Sequence, residues 1–99
     1  MLNIVSDLNG SNLTISLEGR LDTNTSPQLE EKLKASINNV TELVFDIEKL
    51  QYISSAGLRV LLSAQKIMNK QGRMVVKNSS EEVREIFDVT GFSDILTIE

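Results

Sequence analysis

Hydroxyl and carboxylate side chains supply the reactive groups of this chain, because it contains neither histidine nor cysteine. This composition excludes His-mediated acid–base catalysis, thiolate chemistry, disulfides and the common zinc sites. Ser63 and Lys66 are the nearest approach to a serine–lysine nucleophile, but polar residues on a helix surface explain this pair better. Asp22, Asp46 and Glu48 could work as an acid–base pair only if the fold brought them together. No glycine-rich phosphate loop is present. We therefore expect no catalytic residues, no metal site and no cofactor.

The most unusual segment is Ile53-Ser54-Ser55-Ala56-Gly57-Leu58, where small polar residues separate a buried segment from an apolar helix. One interpretation is that Ser54 or Ser55 is the N-cap of that helix. A second follows from the free N–H groups and the positive dipole end of a helix start, which accommodate a phosphate. A serine placed there can be modified without unfolding the domain. The residues alone leave both interpretations open.

The elements that position this segment follow from the alternation of strand and helix periodicities. The chain is expected to begin with a strand in 3–8, a hairpin turn at 9–10, a strand in 13–17 and a turn in 19–25. A helix that Thr25 or Ser26 caps should follow, then an internal strand in 42–47 and a helix from Ser54 or Ser55 to Gly72. The last elements are a strand in 74–76, a helix with a Ser79–Glu82 capping box, and an apolar tail in 92–98. Gly72 is expected to be left-handed. The near-continuous apolar run in 42–47 favours a strand covered on both faces.

This order predicts an α/β fold with a mixed four- to five-stranded sheet and three or more helices. An N-terminal antiparallel hairpin adjoins a parallel centre that right-handed crossovers build. Residues 1–99 suit a single domain, with 40 % hydrophobic residues for its core.

Charge and hydropathy exclude several partners. The chain carries 10 basic and 14 acidic residues, a net charge of −4, and has no basic run, which is a poor basis for nucleic-acid binding. No apolar run approaches the roughly 20 residues of a transmembrane helix. We expect a cytoplasmic monomer that neither inserts into a membrane nor binds nucleic acid.

Three motifs in register resemble the STAS domain, and more narrowly the bacterial anti-sigma factor antagonists. The segment from Tyr52 to Leu62, YISSAGLRVLL, resembles the signature of the family. The segment Gly19-Arg20-Leu21-Asp22, followed by Leu29, resembles its G-x-L-D turn before the first helix. Thr90-Gly91-Phe92 resembles the exit from its final helix. The resemblance covers essentially the whole chain.

The resemblance implies a binding module and not an enzyme. The unphosphorylated form would bind an anti-sigma factor, itself a serine kinase of the GHKL type, and so release a sigma factor. Phosphorylation at the start of the second helix would switch this binding off, and a serine phosphatase would reset it. The acceptor falls on Ser55, with Ser54 as the runner-up. The partner surface implied in this way comprises Asp22, Ile53, Ser54, Ser55, Ala56, Gly57 and Arg59.

The sequence departs from the usual Asp-Ser-Ser/Thr-Gly-Leu pattern at two positions. Ser54 replaces the aspartate and Ala56 replaces the second hydroxyl residue. Other interpretations therefore stay open: a subunit of a lipid-transport ABC complex that binds the transporter ATPase, a signalling scaffold, or a hydrolase or transferase that uses Ser55 as nucleophile. Asp22 has a structural alternative too, as a turn-forming residue that bonds its own backbone.

Overall fold

The chain begins with the expected hairpin. In the computed structural model, which describes residues 1–99, strands β1 (Leu2–Asn9) and β2 (Asn12–Leu21) pair antiparallel. The turn between them contains Gly10 at φ +66°, a left-handed conformation that suits glycine. This hairpin forms one side of a four-stranded sheet.

The rest of the chain alternates helices and strands. The elements are α1 (Ser26–Ser36), β3 (Glu42–Ile53), α2 (Ser55–Gln71), β4 (Arg73–Lys77), α3 (Glu81–Thr90) and a 3₁₀ turn (Phe92–Asp94). The sheet order is β1-β2-β3-β4, and both the β2–β3 and the β3–β4 pairs are parallel. The predicted α/β fold with an antiparallel hairpin and a parallel centre is confirmed.

The expected turn over residues 19–25 is wrong in its first part, because β2 continues to Leu21. Gly19 sits within the strand at φ +106°, and a Cβ there would collide with the carbonyl oxygen of Met1. The pairing of β2 with β3 shifts register on both sides of Glu18 and Gly19. The glycine therefore marks an irregularity inside a continuing strand. As a result β2 reaches the end of β3, where Leu21 lies opposite Ile53.

One hydrophobic core lies between the sheet and the helices. It joins the inner faces of all four strands to apolar residues of all three helices. The prediction that 42–47 is covered on both faces is wrong: Leu43, Phe45 and Ile47 are buried, whereas Val44 and Asp46 on the other face are half-exposed. The helices contribute to one layer only, so the outer face of the sheet is largely open to solvent, with Val75 of β4 as a buried exception.

Two helix ends differ from expectation. Gly72, the C-cap of α2, has φ 173°, which is extended and not left-handed. Glycine is required there because a Cβ would collide with the Thr41 carbonyl, which accepts the N–H of Arg73 at 3.0 Å. The N-cap of α3 is Ser80 and not Ser79, since Ser80 Oγ accepts the N–H of Val83 at 3.2 Å.

The apolar tail forms a short helical turn and then a minimal strand. After the 3₁₀ turn, Ile98 makes one isolated parallel bridge with Val76, and the sheet keeps four full strands. None of the helices combines the length and the apolar character needed to cross a membrane.

Candidate functional site

The start of α2 is fixed by Ser54. Its backbone is extended, with φ −94° and ψ 174°, and its Oγ accepts the N–H of Gly57 at 3.3 Å. Its own N–H donates to the Leu21 carbonyl at 2.8 Å, which ties the end of β3 to the end of β2. Ser54 is therefore the N-cap that the residue pattern indicated, and its hydroxyl is half-buried and engaged.

Ser55 is the first residue of α2 and has the opposite character. It is exposed, and its hydroxyl makes no hydrogen bond within the chain. A reagent can therefore approach the Ser55 Oγ without breaking a contact of the fold. The free N–H groups of the first helical turn lie beside it and favour a negative charge.

Asp22 organises the turn that faces this helix start. Its Oδ1 accepts the N–H groups of Asn24 and Thr25, each at 3.0 Å, and its own N–H donates to Thr25 Oγ1 at 2.8 Å. The bond from the Thr25 N–H is the main cause that lowers the pKa of the Asp22 carboxyl. The structural interpretation of Asp22 is thus confirmed. Asp22 also directly follows Leu21, so its turn adjoins Ser54.

Arg20 and Tyr52 flank the same turn; Tyr52 was considered only as an apolar candidate for the interface, and Arg20 was not expected at the site. The guanidinium of Arg20 lies 4.4 Å from the centroid of the Tyr52 ring, and its Nε is 3.9 Å from Asp22 Oδ2. The two residues are partners in the parallel register of β2 and β3. Only that register brings the two side chains together. The contact could not be predicted from the sequence, because the expected turn at Gly19 would have ended β2 before Arg20.

Two of the predicted surface residues belong to the core. Ile53 is 1 % exposed, and Gly57 is buried where a Cβ would lie 2.8 Å from Leu21 Cγ and 2.9 Å from Ile53 Cγ1. The expectation that Ile53 and Gly57 contact a partner directly is therefore corrected. They act by seating the first turn of α2 tightly on the sheet.

The remaining predicted residues share one surface. Ala56 and Arg59 line a shallow depression together with Thr23 and Pro27, between the turn after β2 and the start of α2. We call the exposed or half-exposed residues here the helix-start surface; it comprises Asp22, Thr23, Ser54, Ser55, Ala56 and Arg59.

The other candidate groups do not converge on this surface. Asp46 and Glu48 belong to β3, where Asp46 Oδ1 accepts the Glu48 N–H and the Asn78 amide, each at 3.2 Å. Ser63 and Lys66 are both exposed on α2. No group of three or more acidic side chains is arranged to hold a metal ion. The chemistry that this arrangement supports is modification of a free hydroxyl and binding through a small mixed surface.

The chain is similar to known proteins over nearly its whole length. A family model described as "STAS domain" matches residues 3–99. An anti-sigma-B factor antagonist of Bacillus subtilis (strain 168) is 30 % identical over 98 residues, which covers 98 % of this chain and 90 % of the relative. The protein BtrV of Bordetella bronchiseptica, which also bears the name of an anti-sigma factor antagonist, is 38 % identical over 88 residues, covering 87 % of this chain and 76 % of the relative.

Solved structures share the fold. The anti-sigma factor antagonist SpoIIAA in its unphosphorylated form superposes with a TM-score of 0.84 and 23 % identity, covering 98 % of this chain and 88 % of SpoIIAA. The phosphorylated form of Bacillus SpoIIAA superposes with a TM-score of 0.76 and 22 % identity, covering 98 % and 91 %. At these identities the likeness shows the architecture alone.

Proposed function

The chain belongs to the STAS domain family and, within it, to the anti-sigma factor antagonists, and from this premise we propose that it regulates transcription through a phosphorylation switch. Its unphosphorylated form binds an anti-sigma factor through the helix-start surface, and the bound anti-sigma factor releases its sigma factor. Residues 1–99 act as one such domain in the cytoplasm, as a monomer and a binding module rather than an enzyme.

The anti-sigma factor in this proposal is a serine kinase of the GHKL type. Its ATP-bound form transfers the γ-phosphoryl group to Ser55: a bond forms between Ser55 Oγ and phosphorus, and the bond to the departing ADP breaks. The hydroxyl proton passes to a base of the kinase. A serine phosphatase later hydrolyses the ester and restores the free hydroxyl.

The observation that carries the proposal is the difference between the hydroxyl groups of two neighbouring serines. Ser54 holds the helix start with its hydroxyl, whereas the Ser55 hydroxyl is exposed and unbonded. Phosphate on Ser55 therefore leaves the cap in place, and the dipole of α2 favours the added anion. Phosphate on Ser54 would instead require the cap to break, which makes Ser55 the better acceptor.

The effect of the phosphate falls on the interface and not on the fold. The added charge of about −1.5 to −2 shifts the net charge from −4 to roughly −6. A phosphate left desolvated and unpaired at the interface costs about 3–5 kcal/mol, by analogy with other unpaired buried charges. Each 1.4 kcal/mol is tenfold in affinity, so about 3 kcal/mol weakens binding more than 100-fold.

The names of the relatives support the proposal. The Bacillus subtilis relative is an antagonist of an anti-sigma-B factor, and SpoIIAA exists in a phosphorylated form with this architecture. The positions of Ser54 and Ala56, where the family pattern has other residues, do not affect the exposure of Ser55.

The proposal is tested by the intact mass of the protein isolated from its own host. We expect a fraction of the wild type to carry one phosphate and Ser55→Ala to carry none. Ser63→Ala, which removes an exposed hydroxyl two turns further along α2, is the matched control and should keep the phosphate. The unphosphorylated fraction should co-purify with an ATP-binding protein kinase, and the phosphorylated fraction should not.

Two results would contradict the proposal. A complete lack of phosphate through growth and stress would remove the switch and favour a transporter subunit or a scaffold. Phosphate that persists on Ser55→Ala would assign the acceptor to another residue, with Ser54 tested next.

A further inference from the structure

Arg59 is the only arginine of this chain without a carboxylate partner. The other three lie within 4.0 Å of an acidic side chain: Arg20 with Asp22 at 3.9 Å, Arg73 with Glu42 at 3.1 Å, and Arg84 with Asp88 at 3.5 Å. Arg59 makes no such ion pair and is exposed. Glu30 of α1, which lines the same depression, pairs with Lys34 at 4.0 Å and not with Arg59, so the guanidinium of Arg59 is available to a new anion.

The position of Arg59 is set by its spacing from Ser55. The two residues are four apart on α2, and residues at this spacing lie above one another on the same helix face. Side chains on a helix lean toward its N-terminus, so the guanidinium of Arg59 can reach back over the first turn. Both side chains are exposed.

The acidic groups near the helix start come from other elements: Asp22 lies in the facing turn, and Glu30 of α1 lines the same depression as Arg59. The first turn of α2 contains no acidic residue, whereas the first turn of α3 contains Glu81 and Glu82. A cation near the positive end of a helix dipole is unfavourable on its own. Arg59 lies on the second turn of α2, one turn from that end, and an anion on Ser55 would interact favourably with both the helix dipole and the arginine.

We propose that Arg59 is the internal ligand of the phosphate on Ser55. This inference rests on the proposed function, because it concerns the modified form of the same site. The guanidinium donates two hydrogen bonds to the phosphate oxygens, a geometry that arginine forms readily. Phosphorylation then changes the helix-start surface twice: it adds an anion, and it withdraws the arginine from any partner that contacts it.

The test measures the second pKa of the phosphate by ³¹P NMR on protein with phosphoserine incorporated at position 55 during synthesis. A nearby cation favours the dianion and lowers this pKa, which is otherwise about 6. We expect Arg59→Gln to raise it by about 0.2–0.4 unit, as a helical ion pair at this spacing would. Arg59→Lys should restore part of the shift, and high salt should reduce it.

Two other arginines are the matched controls. Arg73 is the first residue of β4 and pairs with Glu42 at the start of β3, at the end of the sheet away from Ser55. Arg73→Gln should therefore leave the phosphate pKa unchanged. Arg20→Gln removes the other cation beside the helix start, which Tyr52 and Asp22 already hold, and should also have little effect. In the wild type, the ¹H–¹⁵N signal of Arg59 Nε should move when Ser55 is phosphorylated.

Equal phosphate pKa values in the wild type and Arg59→Gln, with an unmoved Nε signal, would overturn the inference. A shift that appears in Arg20→Gln instead would assign the phosphate to that arginine and overturn it as well. The phosphoserine is installed without a kinase, so this outcome is independent of whether the host modifies Ser55. Failure of the switch itself is detected separately, by the mass of the host protein.

Discussion

Two adjacent serines at the start of α2 should respond in opposite ways to the same substitution. Ser54→Ala removes the oxygen that accepts the Gly57 N–H. Loss of a serine N-cap costs about 0.5–2 kcal/mol. The donor–acceptor distance of 3.3 Å is long for an N–H···O bond, so we expect the lower half of that range, about 0.5–1 kcal/mol.

Ser55→Ala removes a hydroxyl that bonds to nothing in the chain. Alanine is the better helix former, by up to about 0.5 kcal/mol, so stability should stay level or rise slightly. One kcal/mol corresponds to about 4–8 °C in the melting temperature of a domain of this size. Thermal unfolding followed by circular dichroism should therefore show a decrease of about 2–8 °C for Ser54→Ala and none for Ser55→Ala.

Ser80→Ala calibrates the comparison, because Ser80 caps α3 through the same type of bond, at 3.2 Å. Its melting temperature should fall by an amount close to that of Ser54→Ala. If Ser55→Ala were as destabilising as these two variants, the Ser55 hydroxyl would have a structural role. The reasoning that separates the cap from the acceptor would then be refuted.

Two further substitutions test how the helix start is seated and how its facing turn is held. Gly57→Ala places a Cβ 2.8 Å from Leu21 Cγ and 2.9 Å from Ile53 Cγ1. Overpacking costs about 1–3 kcal/mol and helix propensity returns about 1 kcal/mol, so chemical denaturation should show a net loss of about 0–2 kcal/mol. A gain in stability would mean that the two core side chains move aside without cost. Asp22→Asn keeps an oxygen acceptor but loses the charge. Since the folded-state pKa of Asp22 lies below the ordinary value of 3.8 for an aspartate, the carboxylate contributes stability above that value and loses it as the pH falls through the folded-state pKa. The wild type should be the more stable protein near neutral pH, and a gap that failed to close in acid would assign the difference to something other than the Asp22 charge.

The layout of the fold could be predicted because its signals are local. The Asn9-Gly10 hairpin, the apolar stripe of α1 and the small residues before α2 each depend on neighbours in the sequence. Ser54 and Ser55 were both identified as possible caps, and Asp22 as a turn former. These features need only a few consecutive residues to be recognised.

Most of the features that sequence reasoning missed depend on contacts between distant segments; the N-cap of α3, Ser80 and not Ser79, is the local exception. Gly19 reads as a turn residue, yet its conformation serves a strand that continues to meet Ile53. Gly72 is required by the Thr41 carbonyl, some thirty residues earlier in the chain. The burial of Ile53 and the stacking of Arg20 on Tyr52 likewise follow from the parallel register of β2 and β3. No pattern within either segment specifies that register by itself.

The bond from the Ser54 N–H to the Leu21 carbonyl has a consequence for recognition. It joins two stretches of chain more than thirty residues apart, and the helix-start surface exists only where they meet. A synthetic peptide that spans Ser55 would contain the acceptor but not the turn of Asp22 opposite it. Any enzyme that recognises this surface recognises a conformational epitope, so it would not bind unfolded copies or chains still under synthesis. Only the folded molecules of the protein would then be modified and take part in regulation.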